Sequence, residues 1–494
     1  MYRRKADSQL PAAADGRRSM SLRRAALRGS LVFGASTVLC RVLHSAAYMI
    51  LARYLGPTEF GAMTLASIAV NVLALFPAMG LGTALLTENK DPQHVASAAF
   101  GAAIASGLLL WLISIVVSIV IFNTAGKEVA VLSGVLGASL AFRSLSAVGG
   151  ALLDADLRFG QRAGSEVLGA GVFFGTSVTM GLLHFGALSI AAALVASSFS
   201  SALWVTLATR VVPTWSRSAW KQLAPTARIG AIVLAVNIAQ WLFVSIDVVI
   251  IEKLLGRTEV GIYALAMYLG LLPSQAVGAI SSRVALPLLV KARHHGTIKT
   301  DEFLDAVFVV SFLGAAAAAV FLSASEQLVR LAYGSQYVGA AAMLPVLAIY
   351  GYSKAVGGLA GPALFAAGRS MSALSAIAGQ LVIATVISLL LVRTLAVNGV
   401  AVGFTIAVAS GCAYSLFVGS RALGCGVWET AVVSIAPIAA AAGPILAVRM
   451  LTGAKHPFAE LASSTLVLVT VGFRPTMRIM KSHRRFALDA RPTP

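Results

Sequence analysis

Charged residues are scarce in this sequence. They make up 12% of its 494 residues, whereas hydrophobic residues make up 58%. Soluble domains carry roughly 25% charged residues, so the composition excludes an ordinary soluble fold. Cysteine is scarce as well, because the chain has only Cys40, Cys412 and Cys425. These three lie in or beside apolar segments without a CxxC spacing, so we predict neither a disulfide framework nor a metal site.

Long apolar runs follow one another from Gly29 to Phe473. Each is about 20 residues long, enough for a helix to cross about 30 Å of hydrocarbon. The runs are continuous rather than alternating, which favours helices over a transmembrane β-barrel. The sequence therefore predicts an all-α integral membrane protein. The fourteen expected spans are 30–52, 61–86, 96–122, 129–152, 165–184, 187–209, 229–251, 261–287, 304–324, 338–366, 371–392, 399–420, 427–448 and 460–473.

The basic residues are unevenly distributed. The formal net charge is +19, and 27 of the 38 lysines and arginines fall on one side of the membrane if the amino end is cytoplasmic. This pattern predicts a multi-pass protein with both termini in the cytoplasm. Topology and anionic lipid head groups explain the basic excess, so we expect no nucleic-acid partner. The first apolar run lacks a convincing cleavage site and is interpreted as an uncleaved helix.

One fifteen-residue segment occurs twice. ARYLGPTEFGAMTLA (52–66) and EKLLGRTEVGIYALA (252–266) share seven positions and lie 200 residues apart. Six predicted spans separate them, which places both turns on the outer face and predicts two parallel repeats. The glycines would allow positive φ, and Thr followed by Glu would cap the next helix. We expect a tight hairpin with a scaffold role.

This repeat divides the chain. We predict a basic cytoplasmic arm over 1–28, an N-terminal lobe of helices 1 to 6 over 29–225 and a C-terminal lobe of helices 7 to 12 over 226–422. Two further helices, 13 and 14, would occupy 423–475. A basic cytoplasmic tail would complete the chain over 476–494.

Several stretches carry a family resemblance. They are the run 31–86, LLDADLRFGQRA, VSIDVVIIEKLLGRTEVGIYALA, and YGSQYVGAAAMLPVLAIYGYSKAVGGLAGPALFAAGR. Together they resemble the polysaccharide repeat-unit flippases of the multidrug, oligosaccharidyl-lipid and polysaccharide exporter superfamily, over nearly the whole chain. The resemblance implies a V-shaped pair of lobes that moves a polyprenyl-pyrophosphate-linked oligosaccharide to the periplasmic leaflet of a bacterial inner membrane by alternating access. Drug exporters share this architecture, so a cation-coupled small-molecule exporter is the alternative.

Three cations lie inside the apolar runs, namely Arg41, Arg143 and Lys354. A cation that faces lipid at mid-membrane costs about 2.5 to 3.5 kcal/mol or more, so each should face a hydrated cavity or an anion. Arginine and lysine both bind phosphate, and we predict that these three hold the pyrophosphate. Structural pairing, for example of Arg41 with Asp247, or snorkelling toward an interface is the alternative.

Other polar residues share helical faces with these cations. The spacing predicts a polar cavity lining formed by His44, Tyr48, Asn71, Asn237, Gln240 and Tyr350. His44 could instead be packed, and packing is the favoured interpretation. Asp247 could couple transport to H⁺ or Na⁺, or could be an outer-face acid paired with Lys253. The sequence has no GxxxxGK[ST] motif, and we expect no cofactor.

Asp154 and Asp156 have the DxD spacing of many sugar-nucleotide transferases. Such enzymes need a sizeable extramembrane domain, and no predicted cytoplasmic loop is long enough, so we predict that the protein is not an enzyme. A membrane glycan polymerase or ligase is disfavoured because it would need a long periplasmic loop to hold catalytic side chains, and the predicted outer segments are short. The motif would then be a surface elbow, where Arg158 and Arg162 could attract lipid phosphate. The expected partners are the lipid-linked oligosaccharide, membrane lipids and other glycan-assembly proteins such as a polymerase.

Overall fold

The computed structural model describes residues 12–76, 92–211, 227–272, 274–275, 300–366, 370–423, 426–452 and 457–470. Within these ranges the chain is helical apart from short turns. The helices are α1 Ala12–Leu51, α2 Pro57–Leu73, α3 Pro92–Ala125, α4 Lys127–Ala155, α5 Phe159–Leu182, α6 Leu188–Thr209, α7 Ala227–Leu254, α8 257–272, α9 Thr300–Tyr333, α10 Leu344–Ala366, α11 Ser370–Leu395, α12 Val397–Leu423, α13 Val427–Thr452 and α14 Pro457–Thr470. A 3₁₀ helix, Ser335–Ala342, precedes α10.

Each predicted span overlaps one of these helices, which confirms the all-α class. In the described part of the chain, eight helices are long and apolar enough to cross a membrane, or nine if the 3₁₀ helix and α10, which are bent by 60°, count as one span. The number fourteen and the repeat arrangement stay predictions. Residues 1–11 of the predicted basic arm and the whole predicted tail 476–494 lie outside the described residues.

Apolar side chains cover the outer surface of several helices. On α3 the exposed residues Leu109, Leu112, Val116 and Ile119 recur at helical spacing and are 57 to 62% exposed. Exposure of such a stripe to water would cost about 25 cal/mol of free energy per Å² of apolar surface, whereas contact with lipid chains carries no comparable cost. The exposed apolar helices therefore identify a multi-pass membrane protein.

The chain forms two compact units. The first comprises Met1–Tyr54 and Ala66–Ala235, and the second comprises Leu55–Leu65 and Val236–Pro494. In the first unit, α3 packs on α4, α5 packs on α6, and α1 lies along α5. In the second unit, α11 pairs with α12, α10 packs on α12, and α9 contacts both α10 and α13.

A buried ion pair joins the last helices of the second unit. Arg449 of α13 donates to both carboxylate oxygens of Glu460 in α14, at 2.9 and 2.8 Å, and Glu460 is fully buried. Arg449 also donates to the Leu322 carbonyl at 2.6 Å. That carbonyl lies two residues before Ala324, where α9 has non-helical dihedrals. A side chain that bonds into the backbone ladder is a known cause of a kink.

This pair was not predicted from the sequence. Glu460 is a second embedded acid besides Asp247. The predicted spans place Glu460 at the first position of the last span and Arg449 in the loop before it. The structure continues α13 to Thr452 and starts α14 at Pro457, so both residues lie within helices.

The duplicated turn differs from its prediction in one respect. Among the glycines of the two copies, only Gly256 has a positive φ, of 95°. The predicted capping by Glu59 is present, because its carboxylate accepts the Gly56 N–H at 2.8 Å. This contact is one half of a capping box, with Pro57 at the first helical position. The Thr58 hydroxyl instead hydrogen-bonds to the Thr258 hydroxyl, at 3.0 Å.

Candidate functional site

A cavity of about 310 Å³ lies within the second unit, among α7, α10, α11 and α12. Its apolar wall includes Phe243, Val244 and Ile377. Polar groups project from all four helices, so they converge on one space. They are Gln240, Tyr350, Ser353, Lys354, Gln380 and Ser415.

Lys354 gives this cavity its charge. Among the described residues that line the cavity, no other side chain is charged at neutral pH. Its ammonium lies 5.6 Å from the centroid of the Tyr350 ring, one turn earlier on α10, within the range of a cation–π contact. Tyr350 and Lys354, which the sequence places on one helical face, both line this cavity. A lone cation in a partly enclosed space attracts anionic groups.

Gln380 is held in the cavity wall by a glycine of the neighbouring helix. A Cβ at Gly411 of α12 would lie 2.6 Å from Cγ of Gln380 and closer still to its amide. Only glycine at position 411 lets the Gln380 side chain lie against α12. Gln380, Ser353 and Ser415 were not predicted from the sequence. Gln380 could have been noticed as an amide inside the otherwise apolar span 371–392.

Asp247 lies deeper in the same unit and is 3% exposed. Its carboxylate accepts the Tyr263 hydroxyl at 2.8 Å and the Val248 N–H at 2.8 Å. Its direct side-chain partner is thus Tyr263 and not Lys253. Lys354 is close enough to interact with Asp247 electrostatically, although the two form no ion pair within 4.0 Å.

Two further residues of α7 lie apart from these contacts. Asn237, which is predicted to line the cavity, is half-buried one turn before Gln240. Trp241 has a buried indole nitrogen without a hydrogen-bond partner among the described residues. Of the polar residues predicted on this helix, Gln240 lines the cavity and Asp247 makes the buried tyrosine contact.

The first unit brings two predicted residues together. A guanidinium nitrogen of Arg143 on α4 donates to the Asn71 side-chain oxygen on α2, at 3.4 Å, and both side chains are exposed. Arg41 is exposed on α1. A single long contact leaves the other N–H donors of Arg143 able to bind other groups.

The predicted residues after Arg41 on α1 pack against α5. The His44 ring stacks on Phe173 with centroids 4.6 Å apart, and the Tyr48 ring lies 5.9 Å from the same Phe173. Nδ1 of His44 contacts the Cys40 carbonyl at 2.7 Å, which assigns the proton to that nitrogen. This geometry favours the packing interpretation of His44.

The elbow around the DxD motif is internally paired. Arg162 lies 3.4 Å from Glu166 and 3.9 Å from Asp154. Arg158 donates to the Ala208 carbonyl at the end of α6, at 3.0 Å. The two arginines that could attract lipid phosphate thus have partners within the protein.

Comparison with solved structures supports the fold. The chain is similar to the lipid II flippase MurJ in an inward closed conformation, with a TM-score of 0.68 and 14% identity over 92% of this chain and 99% of that chain. It is also similar to an inward-facing multidrug resistance MATE transporter of the MOP superfamily, with a TM-score of 0.62 and 16% identity over 78% and 94% of the two chains. At these identities the likeness shows the fold alone.

Sequence relatives point to a narrower group. The succinoglycan biosynthesis transport protein ExoT of Rhizobium meliloti is 26% identical over 62% of each chain. The teichuronic acid biosynthesis protein TuaB of Bacillus subtilis is 23% identical over 59% of this chain and 61% of its own. The lipopolysaccharide biosynthesis protein WzxC of Escherichia coli is 22% identical over 71% of this chain and 72% of its own. The match thus spans about three fifths of the first two relatives.

Residues 50–342 match the family described as polysaccharide biosynthesis protein. This match covers more than half of the chain and includes α2 to α9, the duplicated turn and Asp247. It confirms the family resemblance that the sequence indicates. The chain belongs to the polysaccharide biosynthesis protein family.

Proposed function

We propose that this protein is a flippase that translocates a polyprenyl-pyrophosphate-linked oligosaccharide repeat unit across the bacterial inner membrane, for surface or exopolysaccharide biosynthesis. The observation that carries the proposal is the cavity in the second unit, whose described lining holds one cation, Lys354, among neutral polar groups. The family membership and the transport role named for ExoT support it.

The cavity chemistry suits such a ligand. Lys354 offers a point charge to a phosphate oxygen. The Gln240 and Gln380 amides and the Ser353 hydroxyl can donate to and accept from sugar hydroxyls. A volume of about 310 Å³ is at the lower end of ligand sites, which span roughly 300 to 1,000 Å³. The cavity would hold the pyrophosphate with part of the glycan.

Other parts of the proposal follow from the sequence. Arg41 and Arg143 of the first unit would also contact the pyrophosphate during alternating access. Both termini would be cytoplasmic, and Asp247 would couple transport to H⁺ or Na⁺. A glycan polymerase would receive the translocated unit.

The second candidate is a cation-coupled small-molecule exporter. The buried Asp247 and the likeness to MATE transporters favour it. The charge of the cavity argues against it, because Lys354 would repel organic cations while Asp247 is bonded to Tyr263 away from the cavity lining.

Deletion of the gene tests the flippase proposal. We expect polyprenyl-linked repeat units to accumulate on the cytoplasmic side and glycan export to stop, as measured by lipid extraction and glycan labelling. The wild-type gene should restore export. Normal export in a deletion strain that has no redundant transporter would contradict the proposal.

A substitution of Asp247 tests its electrostatic role. Asp247→Asn keeps a partner for Tyr263 but removes the negative charge near Lys354, so Lys354 should hold an anion more tightly. We expect polyprenyl pyrophosphate to bind the purified protein about fivefold more tightly, which corresponds to about 1 kcal/mol between partly screened charges. Titration with the fluorescence of a labelled ligand measures the change. Glu326→Gln, in an exposed pair of the same unit, is the control, and weaker or unchanged binding by Asp247→Asn would refute this role.

A further inference from the structure

Two helices that pack on α12 give the cavity of the second unit unlike walls. Both α10 and α11 pack along α12, whereas α10 and α11 have little contact with each other. The lining residues of α10 include Lys354, and those of α11 are Ile377 and Gln380. The charge of the cavity therefore belongs to one wall, and the Gln380 amide belongs to another.

The Gln380 side chain lies directly on the backbone of Gly411 in α12. A Cβ at position 411 would lie 2.6 Å from Cγ of Gln380 and would overlap its amide group. The three nearest atoms that it would meet all belong to this one flexible side chain. A methyl group at position 411 would therefore turn the amide aside, whereas the helices need not move. Gly411 thus determines where the Gln380 amide lies.

The Gln380 amide makes no hydrogen bond within the part of the chain that the structure describes, and neither do the side chains of Gln240, Ser353 and Ser415. Polar groups in a partly enclosed space are normally paired with protein atoms, water or a ligand. An amide has two N–H donors and a carbonyl acceptor, and a sugar hydroxyl both donates and accepts. The Gln380 amide is therefore suited to a ligand that carries hydroxyl groups.

Lys354 and Gln380 differ in what they can recognise. The Lys354 ammonium is a point charge that attracts any phosphate, whether or not sugars are attached to it. The Gln380 amide is neutral, and a site that hydrogen-bonds a hydroxyl group discriminates against a ligand that lacks it. The two side chains are thus expected to contact different parts of one ligand.

We propose that Gln380 forms a sugar subsite in this cavity, separate from the anion subsite at Lys354, and that Gly411 positions its amide. This inference rests on the proposed transport function and assigns recognition of a glycan hydroxyl to one side chain. Gln380 is then a specificity-determining residue, because it contributes to binding only when the lipid pyrophosphate carries its sugars. Gly411 is a positioning residue that acts through Gln380.

Two ligands distinguish the subsites. One is fluorescently labelled polyprenyl pyrophosphate without sugars, and the other is the lipid-linked repeat unit extracted from the deletion strain. The first is titrated into the purified full-length protein, and the second is titrated in competition with it. Gln380→Ala should weaken binding of the repeat unit about three- to tenfold, as expected for one neutral hydrogen bond, and should change binding of the bare lipid less than about twofold. Lys354→Gln should weaken binding of both ligands.

Gly411→Ala tests the positioning role. It should weaken binding of the repeat unit as much as Gln380→Ala does and should leave binding of the bare lipid unchanged. Added to Gln380→Ala, it should have no further effect, because the side chain that its methyl group displaces is then absent. Gly379→Ala, next to Gln380 on α11, is the control. Gly379 is not among the described residues that line the cavity, and a Cβ there would meet nothing within 4 Å.

Three results would overturn the inference. They are equal weakening of both ligands by Gln380→Ala, unchanged binding of the repeat unit by Gln380→Ala, and separate losses from Gly411→Ala and Gln380→Ala that multiply in the double variant. In all three cases the wild-type protein still binds the repeat unit, so the flippase proposal stands. If the wild-type protein bound neither ligand, the flippase proposal would fail, and the sugar subsite would fail with it.

Discussion

Replacing Glu460 with glutamine is expected to destabilise the protein by about 3 kcal/mol, near the lower end of the cost of breaking a buried ion pair. Glu460 is fully buried, and its removal leaves the charge of Arg449 without its bidentate partner. Arg449 is 29% exposed, so water compensates part of the loss. Chemical denaturation of the purified protein in detergent measures the change in the free energy of unfolding.

Two variants sharpen this test. Glu326→Gln breaks the exposed pair with Arg330 and should cost about 1 kcal/mol or less. The double variant Arg449→Met with Glu460→Leu should recover much of the stability, because apolar replacement of a buried pair is often close to neutral. Equal effects of Glu460→Gln and Glu326→Gln would show that the buried pair does not hold α13 and α14.

Replacing Lys354 with glutamine is expected to reduce glycan export about 10- to 100-fold. Hydrogen bonds to charged groups contribute about 1.5 to 3 kcal/mol, and each 1.4 kcal/mol is a factor of ten. Lys354→Arg keeps the charge and should retain most of the activity. Export is measured in the deletion strain that expresses each variant, with the protein level in the membrane determined by immunoblot.

Arg393→Gln is the matched control for Lys354. Arg393 lies in the same unit, is exposed in the last turn of α11 and does not line the cavity. Its loss should leave export unchanged. If Lys354→Gln exported glycan as well as the wild type does at equal protein level, the cavity would not be part of the proposed transport pathway. The variants Arg41→Gln and Arg143→Gln are then tested alone and in combination with Lys354→Gln. The loss of export in each variant shows how much each of the three cations contributes.

The sequence predicted those features that depend on a single helix. Apolar runs predicted the helices, and the spacing of Tyr350 and Lys354 placed both on one face that lines the cavity. Features that depend on the contact between two helices were not predictable. The position of Gln380 depends on Gly411 across the helix pair. Gly61 and Gly261 suggested unusual dihedrals, but each instead lies close to the backbone of the other copy of the turn.

The buried pair illustrates a different limit. Hydropathy locates the middle of an apolar run better than its ends, so a few residues at a boundary decide whether a charge is assigned to a loop or a helix. Arg449 and Glu460 both lie at such boundaries. The ion pair between them could therefore not be predicted from the sequence.

The glycines of the cavity wall differ in how freely they can change. The Gln380 side chain fills the space that a Cβ at Gly411 would need, and a Cβ at Gly357 would lie 3.3 Å from Cys412. Gly358 also lines the cavity, but a Cβ there would meet nothing within 4 Å. A side chain at position 358 would therefore change the shape of the cavity while the helices pack as before. The cavity can thus be reshaped through a position that carries no packing constraint of its own.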